Sequence, residues 1–131
     1  MRALLLLLAL GAAACGSSTD LALDRPTPVP IDARIDVAGA PFAVHFAGVS
    51  QDSRCPMGAM CVWAGDAVAQ VDLVAAGDSV RVALHSNAGA GPVSATFHDY
   101  LVELVALDPV PQAGRQIDPG AYVATLRVRH K

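Results

Sequence analysis

From residue 31 to the C-terminus, apolar side chains recur every second residue rather than every third or fourth. No other feature constrains the fold as strongly. A period of two sends successive side chains to opposite faces of an extended strand, so one face is buried and the other meets water. Ile31, Ala33, Ile35 and Val37 alternate with Asp32, Arg34 and Asp36 until Gly39-Ala40-Pro41 breaks the run. Phe42, Val44 and Phe46 form the next apolar face and leave His45 on the other side. Residues 61–74 read as one strand, bent near Gly65 and regular from Val68 to Val74. Ala76-Gly77-Asp78-Ser79 is a hairpin turn signal, and Val80, Val82 and Leu84 alternate beyond it. Ser86 to Pro92 is a loop by composition. Tyr100 to Leu107 is apolar on both faces apart from Glu103, as in a central strand. Asp108-Pro109-Val110-Pro111 ends it, because proline has no amide to give a ladder. After a loop over 112–120, Tyr122, Ala124, Leu126 and Val128 face one way, and Thr125, Arg127 and Arg129 the other.

About seven short strands without a helical period predict an all-β, Ig-like antiparallel β-sandwich over residues 31–131. A small closed β-barrel is the alternative that the same alternation fits. The 131 residues suit a single core, and there is no internal repeat. A net charge of −3 with scattered basic residues excludes a nucleic-acid binder, which needs clustered Lys and Arg against phosphate. After residue 14 no apolar run approaches the roughly 20 residues that a spanning helix requires.

The N-terminus is an export signal. Met1-Arg2 supplies a positive start and Ala3 to Leu10 an apolar stretch. Gly11-Ala12-Ala13-Ala14-Cys15 resembles the lipobox of bacterial lipoproteins, in which the cysteine becomes the acylated N-terminus. The resemblance implies a signal peptide over 1–14, lipidation of Cys15, and a lipoprotein anchored to a membrane of the bacterial cell envelope, facing the periplasm or the cell surface. An ordinary secretory signal cut near Ala14 is the alternative. Residues 15–30 then read as a lipidated N-terminus and linker. Pro26, Pro28 and Pro30 favour extended chain, and 16–30 stretched out would reach about 50 Å.

Three cysteines are an odd number for an exported chain. With Cys15 lipidated, Cys55 and Cys61 remain as an even pair in an oxidising compartment, where a disulfide is the default. Closing so short a loop contributes about 2–2.5 kcal/mol in the chain-entropy model. The pair lies in the densest motif of the chain: Asp52-Ser53-Arg54-Cys55-Pro56, a short spacer, then Cys61-Val62-Trp63-Ala64-Gly65. This stretch resembles a family of uncharacterised bacterial exported proteins and lipoproteins that carry the same run. Tyr122 to Val128 is similar to that family's last strand. The resemblance implies a small exported β-domain and brings no activity with it.

Two readings of the motif compete. In the architectural one the disulfide closes a loop, Pro56 and Gly58 set its turns, and Trp63 plugs the end of the core. Asp52 accepts from backbone amides or pairs with Arg54, and Gly65 belongs to the same structural set. In the recognition reading the stiffened loop presents Arg54 and the Met57–Met60 tip to an envelope protein partner, as an inhibitory loop would. Cys55, Met57, Met60 and Cys61 are also soft ligands of the kind that suit Cu(I), although oxidation of the cysteines removes two of them. Ser94, His98 and Asp99 are local neighbours without a nucleophile elbow, so they do not make a triad. The sequence thus points to a non-enzymatic structural or interaction module, with no cofactor and no metal site.

Overall fold

The computed structural model describes residues 20–131; the expected signal peptide over 1–14 and the expected lipidation site Cys15 lie outside the described residues. Eight strands form two antiparallel four-stranded sheets that face each other and do not close into a barrel. The first sheet contains β1 (Thr27–Pro30), β6 (Ser94–Phe97), β7 (Tyr100–Asp108) and β8 (Val123–His130), in the order β1-β8-β7-β6. The second runs in chain order through β2 (Arg34–Asp36), β3 (Phe42–Asp52), β4 (Ala67–Ala75) and β5 (Asp78–His85). The chain is an all-β sandwich. It changes sheet only after β1 and after β5.

The alternation explains the layers. Ala67, Ala69, Val71 and Leu73 of β4 are fully buried, as are Ala124, Leu126 and Val128 of β8. Between these faces sit Phe46, Val44, Val102 and Leu104, while Phe42 packs edge-on against Phe97 at 5.2 Å. Outer faces carry matched charges instead. His45, Asp72 and Arg81 lie opposite one another across β3, β4 and β5. Asp72 takes Arg81 Nε at 2.6 Å and lies 3.0 Å from His45 Nδ1. The Arg81 guanidinium, helped by His45 and against the opposing effect of burial, moves the Asp72 carboxyl down to about 2. On the other sheet, Arg127 donates to its cross-strand neighbour Glu103 at 2.8 Å.

Four expectations need correction. Residues 20–30 are not a spacer: Leu21 and Val29 are fully buried, and β1 pairs with β8 as an edge strand. Odd-numbered residues there turn their amides toward the ladder, as Ile31 N donating to Tyr122 O at 3.0 Å shows. Pro26, Pro28 and Pro30 therefore place their missing donors on the open side, where an edge strand tolerates them. The run 31–37 is a turn followed by the short β2, not one strand. Strand β4 begins at Ala67, so residues 61–66 lie outside it. Finally, Ser94–Phe97 forms a strand where the alternation marks none, and Val105 and Ala106 of β7, expected to be covered on both faces, meet solvent past a bulge at Leu104/Ala106.

Candidate functional site

The ends of β3, β5 and β7 and the starts of β4 and β8 gather at one pole, so segments 53–66, 86–93 and 109–122 meet there. The motif occupies the first of these. Its base continues the β3–β4 ladder: Asp52 pairs with Ala67, Ser53 N donates to Asp66 O at 2.6 Å, and Cys55 N donates to Ala64 O at 3.1 Å. Gly65 makes this approach possible. Its φ is +68°, and a Cβ there would overlap the Ser53 carbonyl, so no other residue fits without moving backbone. Further out, Ala59 N closes a turn onto Pro56 O at 3.2 Å, and Gly58 sits at its third position with φ +84°, a left-handed geometry that favours glycine. Cys55 and Cys61 are joined in a disulfide with Cα atoms 5.9 Å apart. The expected turns and bridge are all present.

Arg54 does the opposite of what recognition would require. Its side chain is only 15% exposed and turns inward. Nε donates to Asp52 Oδ1 at 2.9 Å and Nη2 to Asp52 Oδ2 at 2.7 Å, a bidentate pair. Nη1 then reaches Leu107 O at 2.6 Å and Nη2 reaches Pro109 O at 3.0 Å, at the end of β7 in the other sheet. Tyr122, at the start of β8, donates its hydroxyl to Asp52 Oδ2 at 3.0 Å. Asp52, Arg54 and Tyr122 therefore lace the two sheets together beneath the loop. Burial pushes the Asp52 carboxyl up, but the hydrogen bonds from Arg54 and Tyr122 outweigh it and leave it below its ordinary value. The Asp52 contact raises Arg54 against the opposing effect of burial. For Tyr122, burial and the carboxylate act together and raise the phenol.

Trp63 is the second reversal. It does not plug the core: it is 81% exposed, beside an exposed Val62 and a fully exposed Met60. Met57 is exposed as expected, and its backbone is stitched to the 109–122 segment. Met57 N donates to Pro111 O at 2.8 Å and Ala113 N to Met57 O at 2.9 Å. Residues 55–65 contain no ionisable side chain beyond the two bonded cysteines. The result is an uncharged apolar tip on a charged, hydrogen-bonded base.

Asp66 was not singled out by sequence. It is the one buried charged residue among those described, placed where β4 begins. It lies 2.6 Å from His85 Nδ1 and accepts from Ser86 Oγ at 3.2 Å and Asn87 N at 3.0 Å. Burial would raise this carboxyl, yet His85, Asn87 and Ser86 together hold it below the usual range. Asn87 Nδ2 also donates to Gly65 O at 2.9 Å, tying the 86–93 segment to the tip's base. Between the three segments opens a shallow cleft of about 450 Å³, lined by Gly65, Asn87, Val110 and Pro111 among others.

Other sequence candidates are dispersed. His98 Nε2 lies 3.0 Å from Asp78 Oδ2 at the opposite pole, at the far end of β6 from Ser94. With both cysteines bonded, Met57 and Met60 remain of the soft-ligand set, and no cluster of three His, Cys, Asp or Glu suited to a metal occurs among the described residues. No protein-family model matches the chain, and neither a curated protein nor a solved structure resembles it significantly.

Proposed function

We propose that this protein is a membrane-tethered, non-enzymatic recognition module of the bacterial cell envelope, anchored through acylated Cys15 and engaging a protein partner with the apolar tip of its disulfide-closed loop. One observation carries the reading: the chain's single tryptophan stands 81% exposed two residues beyond the Cys55–Cys61 bridge, between it and a base that is clamped between both sheets. Burying an indole removes about 150–250 Å² from water, roughly 4–6 kcal/mol gross at 25 cal/mol per Å². A loop already fixed in place loses little further entropy on docking. Interface hot spots are enriched in tryptophan for these reasons.

Orientation supports the same reading. The chain enters the sandwich at Leu21, which bridges to Val37 at the pole opposite the tip. The eleven residues of β3 separate the poles by about 35 Å. Cys15 lies six residues before Leu21, a tether of at most about 20 Å. An anchor at Cys15 thus points Trp63 away from its own membrane. With no Lys or Arg in the tip to meet anionic headgroups, a protein surface suits it better than a second bilayer.

The test is a photo-crosslinking amino acid at position 63 in the full-length protein in intact cells, beside the same probe at position 105 on the solvent face of β7. A discrete protein adduct specific to position 63 is the expected result. Adducts shared by both positions, or none at 63, would overturn the recognition reading.

A further inference from the structure

The two halves of the tip are held in different ways. The first half has several backbone ties: Cys55 to Ala64, Ala59 to Pro56, and Met57 to both Pro111 and Ala113. The second half, residues 60–63, carries Met60, Val62 and Trp63 and has no backbone or side-chain hydrogen bond of its own. What ties this half to the base, apart from the chain itself, is the bond from Cys61 to Cys55. Cys61 is exposed, whereas Cys55 is half-buried. None of the core side chains lies in the loop.

We propose that the Cys55–Cys61 disulfide is a reversible thiol–disulfide exchange site whose substrate is a dithiol, small or protein-borne, and whose reduction releases the 60–63 segment while the sandwich stays folded. The incoming thiolate attacks the exposed sulfur, Cys61 Sγ. A new S–S bond forms between reagent and Cys61 as the Cys55–Cys61 bond breaks. Cys55 Sγ leaves with the electron pair and takes a proton from water; Pro56 O and Ala59 O, each 3.8 Å away, can accept the S–H. The second thiolate of the dithiol then attacks its own mixed-disulfide sulfur, and Cys61 leaves as a thiolate and is protonated. The dithiol ends as a disulfide, and the protein has gained two electrons and two protons. Asp52, Arg54 and Tyr122 make none of their contacts through the sulfurs, so the two sheets stay laced. The consequence for docking rests on the recognition reading above. The exchange itself does not.

Full-length protein in detergent is treated with dithiothreitol without denaturant, alkylated, and mapped by mass spectrometry at positions 55 and 61. In parallel, amide hydrogen exchange is followed peptide by peptide in both redox states. The expected result is complete native-state alkylation at both positions, a melting temperature lowered by no more than about 10 °C, and faster exchange confined to 59–64. A double variant, C55S/C61S, reproduces the released tip on a folded sandwich. Alkylation only in denaturant, loss of the sheet signal on reduction, or unchanged exchange at 59–64 would each overturn the proposal. Because no partner enters these readouts, they fail or hold separately from the crosslink at position 63.

Discussion

Replacing Arg54 with alanine separates a clamp from a docking residue. In the structure this guanidinium makes a bidentate pair with Asp52 and caps the carbonyls of Leu107 and Pro109, with both charged side chains under 16% exposed. Removing it leaves the Asp52 carboxylate with Tyr122 and one long amide contact, and strips two strand-end carbonyls of their donor. Breaking a fully buried ion pair costs about 3–5 kcal/mol, and a single hydrogen bond to a charged group about 1.5–3. The pair sits at the sandwich rim and keeps some solvent, so the expected loss is about 2–4 kcal/mol. For a domain of this size that corresponds to a fall of roughly 8–16 °C in melting temperature. Urea unfolding followed by far-ultraviolet circular dichroism should show a lower midpoint with an unchanged slope. Arg54→Lys should recover only part of the loss, because an ammonium cannot reproduce the two-pronged contact. A change below about 0.5 kcal/mol, as for a free surface arginine, would refute the clamp.

Other substitutions test neighbouring parts of the account. Gly65→Ala, forced into a left-handed backbone against the Ser53 carbonyl, should cost more than about 2 kcal/mol or abolish folding, read by thermal melting. Trp63→Ala should leave stability within about 0.5 kcal/mol of the parent, since the indole contributes nothing to the core. Acid should weaken the fold in a defined window. Asp72 sits at about 2 in the folded protein against 3.8 unperturbed, and Asp52 and Asp66 are also lowered. Their contribution is complete above the unfolded carboxylate value and is lost as pH falls through the folded ones. Stability should therefore drop between pH 4 and 2, and Asp72→Asn should flatten part of that slope in urea titrations.

Strands that bury one face were legible because alternation and burial are the same fact seen twice. Residues 123–128 illustrate it, and β4 does so from Ala67 onward. The pattern failed where other physics set the local structure. Prolines at 26, 28 and 30 exclude helix and inner strand but not an edge strand, so β1 looked like linker. The apolar run 61–64 looked like strand, yet a neighbouring disulfide holds it out in water. At the motif, each reading misplaced one residue. The architectural reading put Trp63 inside, whereas it stands 81% exposed. The recognition reading put Arg54 outside, whereas it makes the expected pair with Asp52 and reaches two carbonyls. Partners 70 residues apart, such as Asp52 and Tyr122, leave no trace in local spacing. Asp66 did leave one, an acidic residue set between glycine and the apolar opening of a strand, Ala67-Val68-Ala69.

Because the chain has one tryptophan, its fluorescence reports the tip alone. Acrylamide quenching of native protein should match quenching of the urea-unfolded chain, with an emission maximum typical of indole in water. A blue-shifted emission that acrylamide cannot reach would place Trp63 inside the sandwich and contradict a displayed tip.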